Sequence, residues 1–383
     1  MRKYTSLLLW PVAAGVIVAV VMLSLFPEGI NPRAKTVELY RAAPIAGAQQ
    51  GPVSYADAVR QAAPAVVNIY TRRELGNENN PLLEDPYFRD YFGQQPGDGS
   101  AGRSQTSLGS GVIISPQGYL LTNNHVISDA DIILVALRDG RETAAEVIGT
   151  DPETDIAVLR INLPDLPVIT LGASDQLQIG DVVLAIGNPF GVGQTVTQGI
   201  VSATGRNRLG INTYENFIQT DAAINPGNSG GALIDALGHM IGLNTAIFSR
   251  SGGSQGIGFA IPSDLARSVL ENILANGRVI RGWLGIEAQE MTLVLAESFG
   301  LKENRGLIIA GIFRNSPAHQ AGLQPGDILL SIDDQAVENS RTAMNQIART
   351  MPGQKMQMSI LRNNQVFSVE VIIGDRPRQQ PQG

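Results

Sequence analysis

The run "INPGNSGGAL", Ile224 to Leu233, sets one serine among glycines, with apolar residues on both sides. Only glycine takes a positive φ without steric cost, so the run predicts a tight, exposed turn. A serine there has a projecting hydroxyl and several backbone N–H groups close by. That is the setting of an activated nucleophile beside an oxyanion hole. An ordinary loop between two strands has the same composition. The chemistry therefore requires two partners elsewhere: a histidine to take the serine proton and a buried carboxylate to fix the histidine tautomer.

Three histidines are available, His125, His239 and His319. His239, in "DALGHMIG", lies beside a turn on the hairpin after the serine. His319, in "SPAHQAG", lies on a helix surface in a different module. His125 ends "GYLLTNNHV" in the same module as Ser229 and is the better candidate. Of the aspartates between them, Asp129 and Asp131 lie in a polar stretch, Asp139 in a turn, and Asp151 before a proline. Asp155 stands directly before "IAVLRI", where a strand enters the core, and is favoured as the orienting carboxylate. Asp221, in "FIQTDAAIN", is the other candidate; its plainer role is to bond backbone in the loop before the serine.

The elements that must position these groups are short. From Leu108 onward, apolar runs such as "GVIIS", "GYLLT", "DIAVLRI", "DVVLAIG" and "GIGFAIP" alternate with turn residues, and Asp139-Gly140 is a hairpin signal. This mainly β pattern fits a barrel or a sandwich. It closes with a helix, "SDLARSVLENILANG", opened by Ser263, striped by Leu265, Val269, Leu270, Ile273 and Leu274, and capped by Gly277. After about Val279 an α+β module follows. Its strands are interleaved with helices near Thr292 to Phe299, Ser316 to Ala321 and Ser340 to Thr350.

The amino terminus addresses location. Arg2 and Lys3 precede an uncharged stretch from Leu7 to Phe26, long enough to cross ~30 Å of hydrocarbon. The run is longer than the core of a cleaved signal peptide, and no Ala-x-Ala-like site follows. The expectation is a cytoplasmic end over 1–6, an uncleaved transmembrane anchor over 7–26 and a tether over 27–53. The remaining divisions are 54–278 for the β domain, with a long flexible loop over 73–106, 279–375 for the second domain, and a disordered tail over 376–383. The 383 residues suit two or more domains. The net charge of −7, without a Lys/Arg cluster, argues against nucleic acid as a main partner. With no cysteine there is no disulfide, thiolate nucleophile or Cys-based metal site.

The segments "TNNHV", "TDIAVLRI" and "GNSGGAL" resemble the His, Asp and Ser motifs of trypsin-like proteases, in that order. More specifically, "GSGVIIS", "LLTNNHVI", "AIGNPFG", "QTDAAINPGNSGGALID" and "GIGFAIP" resemble the HtrA family, and "GWLGI" with "SPAHQAGLQPGDILLSID" resembles its PDZ domain. The resemblance runs from about Ser54 to Gly374. One anchor and one PDZ domain resemble its DegS/AlgW branch of membrane-anchored site-1 proteases. The implied fold is a trypsin-like double β-barrel followed by an α+β PDZ domain. The implied roles are Ser229 as nucleophile, His125 as general acid/base and Asp155 as orienting carboxylate. The N–H groups of Gly227 and Ser229 would form the oxyanion hole, with Pro226 biasing that loop. Trp283, Leu284, Gly285 and Ile286 would receive a peptide carboxylate. Met344 and Ile347 would touch its apolar side chains, although Ile347 fits plain core as well. The signal would pass through the loop from Gly205 to Glu215.

The resemblance further implies a homotrimer that needs no cofactor, with its catalytic and PDZ domains in the periplasm. It would make the initiating cut in a membrane-bound anti-sigma factor during envelope stress. C-terminal peptides of misfolded outer-membrane or envelope proteins would activate it. Two other readings stand beside this one. A general periplasmic quality-control protease would digest broadly, and the "PYFRDYFG" loop resembles such relatives. A non-catalytic PDZ adaptor would leave Ser229 unreactive toward a fluorophosphonate.

Overall fold

The computed structural model describes residues 54–74, 104–188, 193–207, 209–247, 254–299 and 305–377, together with Ala14, Ile17 and Leu39. The predicted membrane span and tether lie outside these residues, apart from those last three, and so does 75–103 of the predicted long loop. Among the described residues no helix is long and apolar enough to cross a membrane.

A short helix, α1 (Ala56–Ala62), leads into β1 (Val66–Glu74). The chain continues through β2 (Ser104–Ile113), β3 (Tyr119–Thr122), α2 (Asn124–Ile127), β4 (Ile132–Ala136), β5 (Glu142–Ala144), β6 (Glu146–Asp151) and β7 (Ile156–Arg160). The ends of the stretch read as a loop over 73–106 are therefore strand: Arg73 and Glu74 pair with Gln105 and Ser104. The seven strands follow the order β5-β4-β1-β2-β3-β7-β6. Only Ala145 separates β5 from β6, so the sheet begins and ends on one stretch of chain and curls back on itself. β3 is buried along its whole length, and its Leu120 faces Leu159 of β7 across the ladder. Both leucines are fully buried in one cluster with Ile69, Ile113 and Val135.

The second half of this domain comprises β8 (Val182–Gly187), β9 (Thr195–Arg206), β10 (Phe217–Thr220), β11 (Ala232–Asp235), β12 (Met240–Ile247) and β13 (Gly258–Pro262). They form a closed barrel in the order β10-β13-β12-β11-β8-β9. Helix α3 (Ser263–Asn276) packs on β6 and β7 of the first sheet and on β12 and β13 of the barrel. It buries Ala266, Val269, Leu270 and Ile273 and ends at a left-handed Gly277, whose N–H donates to Ile273 O at 2.8 Å. Ser263 opens this helix, as its sequence predicts, without a side-chain cap bond. It is the first helical residue, and its Oγ donates to Gly172 O at 3.0 Å, pinning the helix start to the barrel instead.

The second module contains β14 (Gly282–Trp283), β15 (Ile286–Glu290), α4 (Leu293–Ser298), β16 (Leu307–Ile312), α5 (Pro317–Gln320), β17 (Ile328–Ile332), β18 (Gln335–Ala336), α6 (Ser340–Arg349), β19 (Lys355–Arg362), β20 (Gln365–Ile372) and β21 (Gly374–Asp375). Five strands run in the order β15-β16-β17-β19-β20, with β18 on β17, while β14 and β21 pair separately. Each helix starts at a polar cap: Thr292, Ser316 and Asn339 each accept the N–H three residues on. Past β21, the Arg376 N–H donates to Arg281 O at 3.1 Å. Arg376, read as the start of a disordered tail, is thus fixed, because its backbone extends the β14–β21 ladder and its side chain has partners in the β domain.

Leu120 supports the strand that delivers His125. Leu120→Ala removes buried methyl groups and leaves a cavity, so the β domain should lose about 2–5 kcal/mol. Urea unfolding followed by far-UV circular dichroism checks this; a loss below about 1 kcal/mol would contradict the packing described.

Candidate active site

His125 sits one residue into α2, directly after the buried strand β3. Its side chain is 50% exposed, whereas that of Asp155 is 10% exposed. Asp155 ends the turn between β6 and β7 with φ of +60°, a left-handed conformation that aspartate tolerates better than most residues. This conformation turns both ends of the residue toward His125. The Asp155 carbonyl accepts from Asn124 N at 3.1 Å and from Asn123 Nδ2 at 3.0 Å. Its Oδ1 accepts from His125 N at 2.9 Å, and its Oδ2 lies 2.7 Å from His125 Nδ1. An ionised carboxylate only accepts, so in the neutral imidazole the proton sits on Nδ1 and the lone pair on Nε2. The imidazole is held as a base facing outward.

Thr245, on β12, closes this arrangement from the other barrel. Its Oγ1 donates to Asp155 Oδ2 at 2.8 Å, and its carbonyl accepts from Ser229 Oγ at 3.0 Å. Thr245 thus joins the carboxylate to the serine. The Ser229 hydroxyl is directed at that carbonyl, not at His125.

The glycines of the opening motif now have physical reasons. Asn228 N donates to Asn225 O at 2.9 Å, and Gly227 has φ of +97°. With Pro226 at the second position, this is a type II turn, which requires a positive φ at its third residue. A Cβ on Gly230 would meet Ser110 O at 2.1 Å, so only glycine allows the serine turn to approach β2 so closely. Ser110 grips that turn twice: its N–H donates to Ser229 O at 2.8 Å and its Oγ to Gly227 O at 2.7 Å. Among the described residues, neither the Gly227 N–H nor the Ser229 N–H donates to another protein group. Folded proteins pair nearly all their buried N–H groups, so two free donors beside a serine hydroxyl form a site that can receive an anion.

The remaining polar candidates lie elsewhere. Asp221 Oδ1 accepts from Ile200 N at 2.8 Å, a backbone role. His239 pairs with Asp235 at 3.1 Å within the β11–β12 hairpin. The exposed His319 is the third residue of α5, and its N–H donates to the cap Ser316.

In the second module Trp283, Leu284, Gly285 and Ile286 line a cleft of about 730 Å³ together with Met344 and Ile347 of α6. Leu284 and Ile347 also belong to the module's core. The loop before β10 ties this module to the β domain. Its Glu215 is fully buried and gathers the N–H groups of Leu209, Ile211 and Asn212 at 2.8, 2.7 and 3.2 Å. Glu215 O accepts from Asn345 Nδ2 of α6 at 3.1 Å. Asn212 Nδ2 donates to Thr154 O at 3.1 Å, and Tyr214 N to Glu153 O at 3.0 Å. Burial pushes the Tyr214 phenol above its ordinary pKa, with Arg376 opposing and Glu153 adding to the rise. The phenol is therefore neutral at physiological pH.

Two family models match the chain, a trypsin-like peptidase domain over residues 109–243 and a PDZ domain over 282–373. A probable periplasmic serine endoprotease, DegP-like, of Halomonas elongata is 45% identical over 336 residues, 84% of this chain and 71% of its own length. The solved HtrA-type protease AlgW with a decapeptide is 59% identical at a TM-score of 0.73, covering 85% of this chain and 100% of its own. AlgW with a tripeptide is 57% identical at 0.72, covering 85% and 98%. The chain belongs to the HtrA family. It is a trypsin-like serine endopeptidase with one PDZ domain.

Reading this HtrA-family sequence by motif misses Thr245, Ser110 and the Arg281 and Arg376 contacts. Thr245 did leave a signal. "LNTAI" places two polar residues inside a buried strand, Asn244 at 0% and Thr245 at 3% exposure. Buried polar residues need partners. Arg281 and Arg376 left none, since their partners lie more than a hundred residues away.

Two substitutions probe this geometry. Gly227→Ala strains the positive φ and turns the central N–H of the turn away, so kcat should fall about 10²-fold with folding intact. Thr245→Val keeps the shape but removes the donor to Asp155; kcat should fall about tenfold while KM holds, and an unchanged kcat would deny Thr245 any part.

Proposed function

We propose that Ser229 attacks the scissile carbonyl while His125 Nε2 takes its proton and later returns it to the leaving amine. Asp155 holds the tautomer and faces the imidazolium. The N–H groups of Gly227 and Ser229 receive the oxyanion. The observation that carries this reading is the His125–Asp155–Thr245–Ser229 chain of bonds beside two N–H donors that have no acceptor among the described residues. In the resting arrangement Ser229 first rotates from the Thr245 carbonyl toward Nε2, exchanging one hydrogen bond of about 1 kcal/mol for another.

The enzyme acts as a periplasmic, inner-membrane-anchored protease. Its initiating cut falls in a membrane-bound anti-sigma factor during envelope stress, and C-terminal peptides of misfolded outer-membrane or envelope proteins in the PDZ cleft switch it on. The anchor reading is supported by Arg2, Lys3 and the uncharged stretch that follows, and the location by the periplasmic naming of the Halomonas relative. Peptide switching is supported by the AlgW structures with peptides and by the contacts of α6 with the loop that bonds Thr154. A homotrimer is part of the same proposal. The DegP-like naming of the Halomonas relative favours a second reading, general quality control.

Full-length protein in detergent should be incubated with the periplasmic domain of the organism's anti-sigma factor. Apolar peptides would be added with a free or amidated carboxyl end, with Ser229→Ala as the control. One cut that appears only with the free carboxylate supports the signalling protease. Broad, peptide-independent digestion supports quality control. No cleavage, together with a Ser229 that resists fluorophosphonate, sinks both.

A further inference from the structure

The peptide cleft is not walled by the PDZ domain alone. Tyr214, from the loop before β10, and Arg376, beyond β21, line it together with Trp283 and Gly285. Arg376 follows the β14–β21 ladder directly, so its backbone lies beside the start of the Trp283 loop. Its guanidinium, however, is engaged in the protease domain. It pairs with Glu153 at 2.9 Å, donates to the Tyr214 hydroxyl and lies 5.3 Å from the centre of that ring. Glu153 stands two residues before Asp155.

This ion pair differs from its neighbour. Arg281 is 8% exposed and binds Asp151 through both terminal guanidinium nitrogens, and Glu153 at 3.1 Å. Breaking that pair would leave a buried charge without a partner. The side chains of Arg376 and Glu153 keep 25% and 26% of their surface open. An anion arriving in the cleft therefore reaches Arg376 at small cost, and Glu153 is left with Arg281 still in place.

We propose that Arg376 reads the free carboxylate of the activating peptide and leaves Glu153 to do so. The inference rests on the peptide-switched reading above and names the residue that reads the peptide. One guanidinium exchanges one carboxylate for another, so no net charge is buried. A peptide amide offers no such exchange, since it carries no negative charge and cannot take both arms of the guanidinium fork as a carboxylate does. The exchange loosens the turn that carries Asp155, and linkage requires the two effects to be reciprocal.

The test uses the full-length protein in detergent and a fluorescein-labelled apolar decapeptide, as free acid and as C-terminal amide. Anisotropy gives Kd for each, and labelled casein reports cleavage. Arg376→Gln should lower the acid-over-amide preference about tenfold. It should also raise peptide-free cleavage about fivefold. Arg376→Lys should keep most of the preference. Glu153→Gln should raise peptide-free cleavage while leaving the preference intact. If Arg376→Gln weakens acid and amide by the same factor, Arg376 is structural and the inference falls. If wild-type protein binds neither peptide, the peptide-switched reading falls and takes the inference with it.

Discussion

Five hydrogen-bond donors converge on Asp155, three on its carboxylate and two on its carbonyl. Four come from the segment after β3, and the fifth, Thr245, comes from the second barrel. A carboxylate between two barrels loses its hydration, and only such a shell of donors makes that burial tolerable. The left-handed φ adds a second constraint. A residue held in a sparsely populated conformation persists only where its surroundings over-determine it. The five bonds supply that, and so the two barrels are locked in register at the point where His125 is aimed.

The same short turn faces the PDZ domain with its other side. Asp151, Glu153 and Thr154 all bond across to Arg281, Arg376 or the loop containing Asn212, within four residues of Asp155. Energetic coupling between distant sites needs an element with two arrangements that both sites can bias. In the proposal made above, the turn is that element. Its Asp151 end is fixed by a buried ion pair, while its Glu153 end is held by a partner open to exchange. A hinge with one fixed and one releasable end is what a cleft more than a hundred residues away in sequence would need in order to act on Asp155.

The residues that carry chemistry are the most legible part of this sequence. Ser229 announces itself because only glycines permit its turn. Asp155 announces itself by standing at the mouth of an apolar strand. Apolar alternation likewise exposes most strands, and α3 through its stripe and Gly277. What the sequence conceals is held by contact across the fold. Ser110 belongs to an ordinary strand pattern until β2 is laid against the serine turn. Arg376 reads as a polar tail because nothing local indicates that β21 pairs with β14 and brings Glu153 within reach. Ser263 opens its helix as the sequence indicates, but nothing local shows that its hydroxyl serves the distant Gly172 carbonyl.

The unpaired groups concentrate where the chemistry is. Among the described residues, the buried side-chain oxygens without a donor are those of Asn123, Asn228 and Asn244, each within two residues of His125, Ser229 or Thr245. Such groups cost stability and persist near sites that need rigid, specialised backbone. The N–H groups of Gly227 and Ser229, without an acceptor among the described residues, belong to the same pattern, and the type II turn set by Pro226 and Gly227 leaves the first of them unbonded. Restoring Ser229 to His125 exchanges one hydrogen bond for another, about 1 kcal/mol, whereas a tenfold change in rate takes about 1.4 kcal/mol. Any regulation stronger than tenfold must therefore move something larger than the serine rotamer. The turn from Asp151 to Asp155 is the element in contact with both the PDZ domain and the base.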